Sequence, residues 1–185
     1  NHANVRQAAR STINTIQAPK YAAEVLANHK INDDSDLEFI SNYLHNQGIK
    51  VFLLDYDNTI DIDRATAPSD YALDCINYLE MNGFKCCLVS NAKSSRSSKI
   101  ADELKLPSVN CAHKPRTGGV IRATQLMNVK ANECVMIGDQ VFTDVIAGNL
   151  AGCHTIMVEK YQQKEVWYVK IKRPFEKIVR MIARF

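Results

Sequence analysis

Val51-Phe52-Leu53-Leu54-Asp55-Tyr56-Asp57-Asn58-Thr59 decides how the rest of the chain is read. Four apolar residues run without a break into a polar cluster. That is the pattern of a buried strand delivering side chains at its carboxyl end. In open α/β sheets, ligands bind beyond that end. Asp55 and Asp57 stand there two residues apart, and two carboxylates leaving water so close together need a cation or a shared proton. The pair therefore points to a nucleophile, a proton-transfer group and a divalent metal acting together.

Outward from this stretch the same alternation continues. Strand candidates at 50–55, 84–90, 108–112, 133–138 and 154–158 are separated by helix candidates at 69–82, 95–105, 117–128 and 143–150. Repeated β-then-α predicts an α/β fold: a three-layer, Rossmann-like parallel sheet with helices on both faces and right-handed crossovers. Upstream, 4–17, 20–29 and 36–46 read as helices, the last entered through Asn32-Asp33-Asp34-Ser35-Asp36 and stopped by Gly48. The expected organisation is a helical extension over 1–48 packed on a core over 49–159, followed by a basic amphipathic segment over 160–185. All of this belongs to a single globular domain, since 185 residues suit one sizeable core.

Composition excludes several classes. With 46% hydrophobic and 23% charged residues, disorder and low complexity are not expected. No apolar run approaches the ~20 residues that span a bilayer, and no secretory signal is present. The start at Asn1 rather than Met leaves room for an upstream segment. Six cysteines (Cys75, Cys86, Cys87, Cys111, Cys134 and Cys153) form no C-x-x-C pair and read as reduced, buried small hydrophobes, which fits a cytoplasmic setting. Formal charge is +3, yet from Lys160 onward eight Lys and Arg face two Glu, so the tail carries +6 and the rest −3.

Four clusters fall at the carboxyl ends of successive strand candidates: Asp55-x-Asp57-x-Thr59, Ser90-Asn91, His113-Lys114-Pro115 and Gly138-Asp139-Gln140-x-x-Thr143-Asp144. In a parallel sheet these ends share one edge, so the clusters converge on one crevice. Asp55 and Asp139 can share a hard divalent cation such as Mg²⁺, with Asp144 in reserve. Ser90 can donate to a phosphoryl oxygen, and Lys114 supplies a positive charge where a loose transition state spreads its own. Asp57 can protonate a leaving alkoxide and later deprotonate water, while Asp55 attacks phosphorus. His113 reads as a loop histidine beside the site, and Asp61 and Asp63 as solvated loop acids.

In the order of these clusters the chain resembles the haloacid dehalogenase superfamily, subfamily IIIA. The run Ile137-Gly138-Asp139-Gln140-Val141-Phe142-Thr143-Asp144-Val145, with Gly148-Asn149 and Ala151-Gly152, is similar to the YqeG-like branch. That branch includes mitochondrial phosphatidylglycerophosphate phosphatases. The resemblance implies a phosphatase core with Asp55 as nucleophile and Asp57 as acid/base. It implies Tyr56, Thr59, Ser90, Asn91 and Lys114 around the phosphoryl group, Thr59 shaping the turn. It implies Mg²⁺ on Asp55, the backbone carbonyl of Asp57 and Asp139, near Asp144. Tyr56 stands where this branch more often has Leu. The intervals between Asp57 and Ser90, and between Asn91 and Lys114, are too short for an inserted cap.

The expected function is thus Mg²⁺-dependent hydrolysis of a phosphomonoester through an aspartyl-phosphate. The substrate indicated by resemblance is a phospholipid head group such as phosphatidylglycerophosphate. The alternatives are a phosphoprotein or small-metabolite phosphatase and a non-catalytic phosphate-binding or membrane-associated module. In the tail, Phe175, Ile178, Val179, Ile182 and Phe185 share a helical face opposite Lys177, Arg180 and Arg184. This helix either packs on the sheet or lies on an anionic membrane, making the protein membrane-peripheral. No base-reading or stacking motif points to nucleic acid.

Overall fold

The computed structural model describes residues 41–92 and 94–158. The helices expected at 4–17 and 20–29, and the amphipathic tail at 160–185, lie outside the described residues. The last turns of the helix expected at 36–46 are present, with 41–46 helical.

The elements follow in the order β1 (Val51–Leu54), α1 (Asp70–Met81), β2 (Lys85–Val89), α2 (Ser94–Leu104), β3 (Ser108–Val109) and α3 (Gly118–Leu126). Then come β4 (Cys134–Gly138), a π-helical turn (Val141–Val145), α4 (Ile146–Ala151) and β5 (His154–Met157). The five strands among the described residues pair in parallel in the order β3-β2-β1-β4-β5. The chain builds outward from β1 on one side and then crosses to β4 on the other. The crevice beyond the ends of β1 and β4 is therefore the switch point at which such sheets bind ligands.

Strand periodicity divides the core into two layers. Phe52, Leu54, Cys86, Leu88, Val135, Ile137 and Ile156 face α1 and α2 through Ala72, Ile76, Ile100, Ala101 and Leu104. Their neighbours Val51, Leu53, Cys87, Val89, Cys134 and Met136 face α3 and α4 through Val120, Ala123 and Ala147. Every residue of β1 is buried, which explains its unbroken apolar run. Ser69 starts α1, its Oγ accepting from the Ala72 N–H at 3.2 Å. Below β1, the Phe84 ring stacks on His45 at 4.2 Å and meets Phe52 edge-on at 4.9 Å. All six cysteines are free thiols, and burial pushes Cys86 and Cys87 up to about 12.

The expected fold class is present, with one local difference. The helix expected over 143–150 begins as a π-helical turn, in which the Gln140 carbonyl accepts from Asp144 N–H at 3.0 Å and Val145 N–H at 3.4 Å. Such widened turns occur mostly at functional sites, and here the turn carries Asp144. Between β1 and β2 the described chain holds only a loop and α1, and between β2 and β3 only α2, so no cap is inserted in either interval.

Candidate active site

β1 ends at the point where its ladder with β4 releases the chain: the Asp55 N–H still donates to the Ile137 carbonyl at 2.9 Å. The next residues turn back sharply, with the N–H groups of Thr59, Ile60 and Asp61 converging on the Tyr56 carbonyl at 3.3, 3.2 and 3.3 Å. Asn58 takes the left-handed φ of 60° that this turn needs and that Asn tolerates. The turn fixes Asp55, whose Oδ2 accepts from Thr59 Oγ1 at 3.2 Å. Its Oδ1 accepts from Lys114 Nζ at 2.7 Å.

Lys114 reaches this point from the loop after β3. Asn91 holds that loop from the end of β2: its Oδ1 accepts from Lys114 N–H at 2.7 Å, and its Nδ2 donates to the Lys114 carbonyl at 3.0 Å. The ammonium also lies 2.7 Å from Asp144 Oδ1, with only 1% of the lysine side chain exposed. Asp144 Oδ2 in turn accepts from Gln140 N–H at 3.1 Å. One buried cation thus joins two carboxylates that come from opposite sides of the switch point.

Asp139 completes the cluster. Asp55, Asp139 and Asp144 are all buried, and each offers a carboxylate oxygen within 4.8 Å of the others. When all are ionised, three carboxylates against one ammonium leave two negative charges in excess. A hard divalent cation with oxygen ligands fits that donor set and that charge. Burial pushes the Asp55 carboxyl up to about 8; Lys114 pulls it down, while Asp144 and Asp139 raise it further. Burial works against the charge on Lys114, but Asp144 and Asp55 outweigh it and hold the ammonium above the usual lysine range.

Ser90, 3% exposed, closes β2 with its Oγ accepting from Ala92 N–H at 3.0 Å. Its own hydroxyl proton is thereby left to donate into the crevice. His113 is exposed, as a loop residue would be.

Several expectations need correction. The side-chain amide of Asn91 is spent at both ends on the backbone of Lys114, so it positions the lysine and leaves only the backbone N–H of Asn91 for a phosphate contact. Thr59 likewise serves Asp55. The Tyr56 phenol, on a residue 2% exposed, donates to Asp61 Oδ2 at 2.7 Å and points into the core, leaving only its backbone N–H for a phosphate contact. Asp61 is no solvated acid: it is 2% exposed and also accepts from the N–H groups of Ile62 at 2.7 Å and Ser69 at 2.8 Å. The Asp57 carboxylate stands outside the acidic cluster of Asp55, Asp139 and Asp144. Its Oδ1 accepts from Arg96 Nη1 at 2.7 Å and Arg64 N–H at 2.9 Å, and its Oδ2 accepts from Arg96 Nη2.

Arg96 is the site residue the sequence did not reveal. It lies early in α2, and its partner stands 39 positions away, so no local pattern marked it. Asp144, placed in reserve by the sequence, is central.

Residues 2–152 match the family model of the haloacid dehalogenase-like hydrolases. The chain belongs to that family. A curated relative, "Probable phosphatase YqeG" of Bacillus subtilis (strain 168), is 30% identical over 148 residues, covering 76% of this chain and 86% of that protein. With the family match, this makes the haloacid dehalogenase-like chain a phosphatase. Among solved structures, an uncharacterized protein from Corynebacterium glutamicum matches at TM-score 0.49 and 17% identity over 69% of this chain and 96% of that one. One from Listeria monocytogenes serotype 4b matches at TM-score 0.49 and 14% identity over 64% and 87%. Likenesses at this distance add nothing to the family assignment.

Proposed function

We propose that this phosphatase hydrolyses a phosphomonoester through a phospho-Asp55 intermediate, with Mg²⁺ as cofactor and a phospholipid head group such as phosphatidylglycerophosphate as substrate. The observation that carries the chemistry is Lys114 Nζ at 2.7 Å from both Asp55 and Asp144. An ammonium fixed between two carboxylates is pre-set for the equatorial oxygens of a phosphoryl group beside Asp55, and such preorganisation is a large term in catalysis.

In the first half-reaction a carboxylate oxygen of Asp55 bonds to phosphorus, the ester oxygen departs, and Asp57 gives that oxygen a proton. In the second, Asp57 takes a proton from water, whose oxygen attacks phosphorus and releases inorganic phosphate and the Asp55 carboxylate. Ser90 donates to a phosphoryl oxygen through both steps, Thr59 and Lys114 hold Asp55 in line, and Asn91 holds Lys114. Asp55, Asp139 and Asp144 would hold Mg²⁺, which supplies positive charge against the phosphoryl oxygens.

Two features favour a bulky lipid substrate: the lack of a cap in the two described inter-strand intervals and the basic stretch from Lys160 onward, suited to anionic lipid. The test is phosphate release from lipid, nucleotide, sugar and peptide phosphates, with and without Mg²⁺, by wild type and Asp55→Asn. Mg²⁺-dependent release that the substitution abolishes is expected. Equal rates for the two proteins would remove Asp55 from the mechanism. Rapid turnover of sugar phosphates or nucleotides with lipid untouched would remove the lipid assignment.

A further inference from the structure

The Asp57–Arg96 pair differs in kind from the group around Lys114. Lys114 and Asp144 show 1% and 2% of their side chains to solvent, whereas Arg96 and Asp57 show 25% and 23%. The pair forms the lip of the crevice. Arg96 Nη1 is shared with the Ala65 carbonyl at 3.2 Å, and Asp63 adds a second negative charge to the guanidinium's surroundings. Both oxygens of Asp57 accept from the planar fork, the geometry in which Arg grips a carboxylate most firmly. The fork and the Arg64 N–H take both lone pairs of Oδ1 and one of Oδ2, so the carboxyl cannot turn towards a leaving group while Arg96 holds it. For Asp57 to act, the fork must open, and the guanidinium released at the lip needs another anion.

We propose that Arg96 is a specificity-determining residue. It binds a second anionic group, a carboxylate or phosphodiester, on the leaving-group side of the substrate, and in doing so hands over Asp57 for proton transfer. This rests on the assignment of Asp57 as the acid and narrows the substrate class to phosphomonoesters that carry a further negative charge near the ester oxygen. Arg96 stays at the lip throughout, because the Ala65 carbonyl and Asp63 remain beside it when Asp57 departs. The exchange swaps one charge-assisted fork for another, so ordinary esters lacking the second anion leave Asp57 gripped.

The experiment compares kcat/KM for glycerol monophosphate, phosphoglycerate and glycerophosphoglycerol phosphate. The second differs from the first by a carboxylate in place of a hydroxymethyl, and the third carries a phosphodiester. Wild type should favour the doubly anionic esters by roughly ten- to a hundredfold. Arg96→Gln should bring that ratio close to one, whatever its absolute rates. Arg96→Lys, which keeps the charge and loses the fork, should retain part of it. Thermal unfolding of both variants establishes that they fold. A wild type without preference, or an Arg96→Gln protein that loses rate equally on all three esters, would overturn the proposal. The phosphatase mechanism would still stand or fall on Asp55→Asn.

Discussion

A Cβ atom on Gly138 would stand 2.2 Å from Cγ of Asp144. The last residue of β4 must therefore be glycine for the π-helical turn to fold Asp144 back over the strand end, where it meets Lys114. Gly138→Ala should displace Asp144 and with it the ammonium. The expected cost is roughly 1–3 kcal/mol of stability from overpacking, together with a large fall in kcat. Urea unfolding and phosphate release measure the two effects.

Among the described residues, Lys114 is the cation paired with Asp55 and Asp144 in the cluster of three buried carboxylates. Removing it strands charge in a dry site, and breaking a buried pair from one side costs roughly 3–5 kcal/mol. Lys114→Met should accordingly be destabilised in chelator and lose activity by about a hundredfold or more. Mg²⁺ should restore part of the stability by answering the same excess charge. Melting temperatures with EDTA and with Mg²⁺ test this.

Metal binding should stabilise wild type by mass action, about 2.7 kcal/mol at a hundredfold excess over Kd. Asp139→Asn removes one of the three carboxylates and should lose most of that gain. If the rise in melting temperature with Mg²⁺ is the same in both proteins, the ion sits elsewhere.

In the metal-free protein the Asp55 carboxyl is raised by burial from 3.8 to about 8. The native state therefore binds a proton there that the unfolded chain has lost, and its stability falls as pH rises. The contribution is complete below about 4 and gone above about 8. Denaturant unfolding in EDTA across this range should show the decline, and Asp55→Asn should flatten it.

Asp61 ties the Tyr56 phenol to the start of α1 through Ser69. Asp61→Ala leaves the phenol and two backbone N–H groups without that acceptor, for an expected loss of roughly 2–4 kcal/mol. The same preference among substrates should be kept, as measured by relative kcat/KM.

What could be read from the sequence was whatever depended on nearest neighbours in the chain. β1 announced itself because burial on both faces demands an unbroken apolar run, and Asp55 and Asp139 each follow such a run. Asp61 was misread because its burial depends on Tyr56 and Ser69 folding over it, which no local pattern encodes. Arg96 escaped notice because a surface arginine on a helix looks the same whether it faces water or a carboxylate 39 positions away. The π-helical turn was hidden because helical periodicity does not register one widened turn, although that turn sets the position of Asp144.

Among the described residues, the two strand-to-strand intervals that carry α1 and α2 put no cap over the strand ends. Reactions of this kind run best in a dry enclosure, and the neighbours of a substrate are one source of it. A molecule presented in a crowded layer of its own kind brings neighbours that close over the rim, whereas the same molecule dispersed in water does not. For the proposed lipid substrate, packing of the substrate phase then becomes part of the catalyst.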